Sequence, residues 1–238
     1  MRQHLRRSRR KLFSATAWKV RLVFWLGAVL VGLVCALFAE AAEWANHVFL
    51  GFAQANPYLP LVLTPLGMTA IVWITIRFFP GSQGSGIPQA IAALQVSSKS
   101  RLLSLRIAIG KIILTLLGLL AGGSIGREGP SVHIGASIMH SLGRFARFPP
   151  HYMERGLILA GGAAGIAAAF NTPLAGIMFA IEEMSRSFEN RTSGIVIMAV
   201  VIAGATVMAI LGPYHYFGTA STGALPGLET WVAVLLCG

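Results

Sequence analysis

Long uncharged apolar runs alternate with short interruptions rich in Gly, Pro or Arg. Residues 22–39 and 59–76 each hold 18 residues without a charge. A bilayer core of about 30 Å needs roughly 17–25 such residues, so both read as spanning helices. The link between them carries Glu40, Glu43, His47 and Asn56-Pro57, and reads as a water-facing turn. After residue 80 the pattern changes. The apolar piece 87–96 is too short to span, and so is 131–143. Residues 97–106 are polar and basic, which suits a surface. Residues 107–125 form a longer apolar run with Lys111 near its start. Residues 144–150 read as a loop. The uncharged run 156–181 is divided by Asn171-Thr172-Pro173, where Thr172 as N-cap and Pro173 at the first position restart a helix. Residues 193–212 read as one more span, and a further apolar run begins at Trp231.

Both short pieces follow Gly-rich breaks. One is Gly81-Ser82-Gln83-Gly84-Ser85-Gly86-Ile87-Pro88. The other is Gly122-Gly123-Ser124-Ile125-Gly126-Arg127-Glu128-Gly129-Pro130. Interrupted helices survive at membrane depth only where protein or a polar cavity satisfies the freed backbone groups. In transporters they mark binding sites. The small-residue run 161–169 suits close helix packing in lipid. The prediction is an all-α membrane bundle of tilted and broken helices.

Composition agrees. The chain is 55% hydrophobic, only 11% charged, and its acids are all Glu. A soluble domain carries about 25% charged residues, so hydrocarbon must be most of the solvent here. The net charge of +11 is concentrated at one end. Eight basic residues stand in the first 21 positions, with no acid among them. Segment 1–21 therefore reads as a basic cytoplasmic tail, in contact with anionic headgroups, ahead of a transmembrane domain over 22–238. No aromatic-basic interleaving follows, which argues against a nucleic-acid partner. Ala39-Glu40-Ala41 resembles a signal-peptide cleavage site, but the basic segment is long and further spans follow. Cys35 and Cys237 lie in apolar surroundings and suggest neither a disulfide framework nor a metal site.

The chemistry gathers at the two breaks. A helix start offers unpaired N–H groups and the positive end of the helix dipole. Two starts aimed at one point bind an anion without a full positive charge, loosely enough for it to leave. Ser85 adds a hydroxyl donor. Glu128, set between Gly-rich backbone and Pro130, is a functional candidate because an intramembrane carboxylate is costly. Desolvation favours its neutral form and helix N-termini its ionised form, so it suits a protonation switch. The bland reading of Glu128 is an ion pair with Arg127.

Gly84-Ser85-Gly86-Ile87-Pro88 and Gly126-Arg127-Glu128-Gly129-Pro130 resemble the two N-terminal signature motifs of the CLC family of chloride channels and chloride/proton antiporters. Lys111, Pro130-Ser131-Val132-His133-Ile134-Gly135, residues 169–176 and Phe179-Ala180-Ile181-Glu182-Glu183-Met184 extend the resemblance, which covers about residues 20–212. It implies an all-α CLC-like fold, of which this chain resembles the first half of an inverted repeat. It implies that Ser85 coordinates the central anion, with Gly86, Ile87 and Pro88 completing that break. The backbone around Gly126, Arg127, Gly129 and Pro130 would line the outer path. Glu128 would be the gate and Glu183 the internal proton-transfer glutamate. Chloride and proton would be the transported ions, with no cofactor and no metal. The assembly would be a homodimer in the bacterial inner membrane.

The chain departs from the family pattern at named positions. Gln89 and Ile91 stand where some antiporters have acids, so the partner of Lys111 is left open. Gln83 replaces a common Gly. No Gly-x-Phe-x-Pro element occurs. The chain by itself is therefore expected not to complete an anion path. Other readings are a passive voltage-gated chloride channel, disfavoured by Glu183, and a purely structural membrane protein, which leaves Glu128 unexplained. A membrane-embedded serine hydrolase would use Ser85 with His133 or His140, but the chain has no Asp to orient the base. His133 and His140, seven apart, could share a helix face, but without Cys or carboxylate neighbours they read as packing or polar satisfaction rather than a metal site.

Overall fold

The computed structural model describes residues 15–96, 102–145, 152–185 and 193–212. Of the loop expected at 144–150, residues 144 and 145 are helical and 146–150 lie outside the described residues. So do half of the surface segment expected at 97–106 (97–101), the run from Trp231, Cys237 and the tail before Ala15. Among the described residues eight α-helices follow in order: α1 Ala15–Ala55, α2 Leu59–Phe78, α3 Ile87–Gln95, α4 Leu105–Leu120, α5 Glu128–Phe145, α6 Tyr152–Phe170, α7 Pro173–Phe179 and α8 Ser193–Leu211. A π-helical stretch, Ala180–Ser185, continues α7. No strand occurs among the described residues. The all-α expectation holds, and the broken helices fall where the Gly and Pro residues placed them.

The first link is a correction. Residues 40–55 do not turn; α1 runs through them for 41 residues, about 60 Å at 1.5 Å per residue. The reason is a helical stripe. Ala39, Ala42 and Ala45 are buried, while Glu40, Glu43 and His47 are exposed. The charges thus occupy one wet face of a helix that continues. The turn is confined to Asn56–Tyr58, where the Asn56 side chain accepts from Tyr58 N–H at 3.0 Å. The Ala39-Glu40-Ala41 site lies inside this continuous helix.

Trp18–Ala55 and Leu59–Phe78 are long and apolar enough to cross a membrane. α2 buries only Thr75, and leaves Leu61, Leu66, Val72 and Trp73 outward. Such a helix needs an apolar surrounding. α3, with nine residues, is about 14 Å long and cannot span.

The core lies between α1, α5, α6 and α8, with α5 and α6 in the most extensive contact. Their approach is backbone on backbone. A β-carbon on Gly135 would strike the Gly161 carbonyl, and one on Gly161 would strike the Gly135 carbonyl. Small residues give this closeness, which replaces the hydrophobic driving force that lipid cannot supply. Against this seam stand α3 and α4, which carry and brace the first break.

Two boundaries differ in detail. α5 begins at Glu128, so the second break ends earlier than the expected start at 131. Pro130 falls within the first turn, where its missing N–H is harmless. Pro173 does open α7, but the Thr172 side chain makes no capping hydrogen bond.

Candidate anion-binding site

The first break ends in a left-handed residue. Gly86 is the N-cap of α3, with φ of 111°. Few residues with a side chain adopt that conformation. Space forbids one as well: a β-carbon there would lie 2.7 Å from His133 Cβ and 2.8 Å from the Gly129 carbonyl oxygen. Gly129 is the matching residue of the second break. A β-carbon on it would sit 2.7 Å from the Ser85 carbonyl oxygen and 2.9 Å from Ser85 Cβ. The two breaks, more than 40 residues apart in sequence, touch through these glycines.

The contact bounds an open cavity of about 540 Å³ lined by both breaks. Ser85 and Ile87 reach it from the first; Gly126, Glu128, Gly129 and Pro130 reach it from the second. The starts of α3 and α5 thus meet at one place. The Gly86 cap offers α3 no side-chain acceptor, and Glu128 sits in the first turn of α5. Unpaired amides and two positive dipole ends favour negative charge there. Two candidates can supply it: a bound anion, or the Glu128 carboxylate. That carboxylate folds back over Gly126, where a β-carbon would strike it.

The remaining predicted residues are placed as follows. Gly86 is buried beneath the loop, and Pro88 is exposed and outside the lining. The Arg127 guanidinium turns to α1, where it donates to the Ala39 carbonyl at 3.2 Å. Arg127 lines a second cavity of about 520 Å³ with Glu43 and Asn46. Ser124, Ile125 and Gly126 form a wall common to both cavities. Glu182 and Glu183 are exposed on the π-helical stretch, and neither lines the Ser85–Glu128 cavity.

His133 is fully buried and satisfied. Its Nε2 lies 2.8 Å from the Leu102 carbonyl oxygen and must donate to it. Its Nδ1 is then the acceptor, 3.4 Å from the Ser137 hydroxyl. Both ring nitrogens are engaged, neither with Ser85, which leaves the hydrolase reading without this base. The packing or polar satisfaction expected of His133 fits these contacts.

One residue carries more than its sequence context showed. Lys111, on α4, is buried and lines the Ser85–Glu128 cavity. Its ammonium reaches the backbone of the first break, which answers the question of its partner. The available signal was a lone cation inside an apolar run.

Paired broken helices, a small-residue seam, and a carboxylate and a hydroxyl lining one cavity are features of a polytopic membrane bundle. Residues 66–238 match the model of the voltage gated chloride channel family, and the chain belongs to that family. It is an integral membrane protein. It is 32% identical over 195 residues to the H(+)/Cl(-) exchange transporter ClcA of Vibrio cholerae serotype O1, an alignment covering 79% of this chain and 41% of that relative. The chain thus spans well under half the length of the curated relatives it matches. A slow cyanobacterial Cl-/H+ antiporter superposes with a TM-score of 0.71 at 27% identity, over 92% of this chain and 53% of that one. A CLC-type fluoride/proton antiporter shares the fold, with a TM-score of 0.70 at 24% identity over 94% of this chain and 54% of that one.

Proposed function

We propose that this chain supplies the first half of the ion path of a chloride/proton antiporter. The observation that carries the reading is that Ser85 and Glu128 face one cavity where two helix N-termini meet. Similarity to the Vibrio cholerae exchange transporter and to the cyanobacterial Cl-/H+ antiporter supports it.

In this reading the Ser85 hydroxyl and loop amides hold chloride by partial charges. Binding stays weak enough for release. Glu128 competes for the same positive region when ionised and vacates it when protonated. One residue thereby couples anion movement to a proton. Glu183 passes the proton on the inner side. No cofactor takes part, and the protein acts as a transporter rather than an enzyme. The polypeptide works as a homodimer in the bacterial plasma membrane. Its N-terminus is cytoplasmic, as the eight basic residues in the first 21 positions favour. The start of α1 suits an interfacial anchor: Arg21 stacks over Trp18 at 5.6 Å, and Trp18 meets Trp25 edge-on.

The test is flux from chloride-loaded liposomes. The chain alone is compared with a version extended by the second half of a matching antiporter. The extended form should release chloride and drive protons the opposite way, and the chain alone should not. Glu183→Gln in the extended form should keep chloride flux and lose proton movement. Chloride flux with no proton movement before the substitution would make the protein a passive channel. Flux indifferent to Ser85 and Glu128 substitutions would refute the site.

A further inference from the structure

The break that carries Ser85 is held from behind by one buried cation. Lys111 is 2% exposed. Its Nζ donates to the carbonyl oxygens of Gly84 at 2.8 Å, Ser82 at 2.9 Å and Gln83 at 3.4 Å. Three ammonium protons meet three carbonyls, so its hydrogen bonding is satisfied. Its charge is not neutralised: among the described residues no carboxylate pairs with Lys111.

The peptide plane links the two sides of the loop. A carbonyl and the following N–H point in opposite directions across a trans peptide. Drawing the carbonyls of Ser82, Gln83 and Gly84 onto the ammonium turns the N–H groups of Gln83, Gly84 and Ser85 away from it. Those N–H groups find no acceptor among the described residues. Successive unpaired amides in a left-handed loop form an anion-binding concavity; here Gly84 has φ of 74° and Gly86 of 111°.

Gln89 determines whether the charge survives. Its Nε2 donates to the Gln83 carbonyl at 2.8 Å, the same oxygen Lys111 reaches. The reverse amide orientation would set oxygen against oxygen. Its Oε1 is therefore left buried without a partner. A carboxylate at this position would stand beside the ammonium; the amide adds no charge.

We propose that Lys111 and Gln89 together set the strength of anion binding at the Ser85–Glu128 cavity. Lys111 is a positioning residue that turns the loop amides outward and adds an unneutralised positive charge. Gln89 is the neutral neighbour that keeps it so. The inference rests on the anion-site reading above.

Chloride binding to the full chain in detergent is read by isothermal titration calorimetry, for wild type, Gln89→Glu, Gln89→Met and Lys111→Met. Gln89→Glu should weaken binding about tenfold, as one opposing charge near the site would. Its loss should exceed that of Gln89→Met by about fivefold, because charge rather than polarity is at stake. Lys111→Met should weaken binding at least as much as Gln89→Glu. Equal losses for the two Gln89 variants would reduce Gln89 to a structural role and overturn the proposal, as would wild-type affinity in Gln89→Glu. If Gln89→Glu does not elute as a monodisperse species, Lys111→Met decides: wild-type affinity there overturns the proposal. Wild type that binds no chloride would sink the anion-site reading itself, and this proposal with it.

Discussion

Gly129 lies so close to Ser85 that a single added methyl group would sit 2.7 Å from the Ser85 carbonyl oxygen. The atom it meets is backbone, which cannot rotate aside. Gly129→Ala should therefore part the two breaks. Overpacking of this kind costs about 1–3 kcal/mol. A lowered thermal midpoint in detergent, with chloride restoring little of it, would bear this out. A wild-type midpoint would show that the breaks are not locked together.

Ser85 predicts the opposite combination. Its hydroxyl has no acceptor or donor among the described residues. Ser85→Ala should leave stability within about 0.5 kcal/mol of wild type, as exposed substitutions do. Chloride affinity should fall roughly tenfold or more, since a hydrogen bond to a charged group contributes about 1.5–3 kcal/mol. Calorimetric titration and thermal melting on the same sample separate the two effects.

Glu128 is the carboxylate at the same cavity. In the extended, transport-competent form, Glu128→Gln should abolish proton movement while chloride still passes. Chloride should also bind the variant several-fold more tightly, because a neutral amide no longer contests the amides of the two helix starts. Proton flux that persists would remove Glu128 from the coupling.

Thr172 offers a negative control. It occupies the N-cap of α7 yet makes no side-chain capping hydrogen bond. A working cap is worth about 1 kcal/mol. Thr172→Ala should cost less than about 0.5 kcal/mol in urea or thermal unfolding, well below that value. A full loss of about 1 kcal/mol would mean that the cap forms in solution.

The sequence made the interrupted architecture legible because Gly and Pro act locally. Gly86 and Pro88 set the start of α3, and Pro173 opens α7, for reasons confined to a few residues. Ser85 and Glu128 were legible as candidates because a hydroxyl and an acid stand out among apolar neighbours. Their meeting at one cavity was an expectation that only packing could test, since it depends on glycine contacts across the bundle. The length of α1 was hidden because the polar residues at 40, 43 and 47 have the look of a turn. Their spacing along one helix face was the better guide. The start of α5 at Glu128 was masked by the glycines around it. The bonds of Lys111 were not legible at all. They go to backbone carbonyls, and a carbonyl has no residue type to betray it.

The seam between Gly135 and Gly161 limits what the protein can do as it works. Where main chain rests directly on main chain, no side chains lie between the helices to change rotamer and absorb a slide. At that contact α5 and α6 hold together as one plate. Glu128 stands at the first turn of that plate, so the carboxylate can swing about its own bonds while the floor beneath it stays still. On the transport reading proposed above, opening would then need only the rotation of that one side chain, without a hinge.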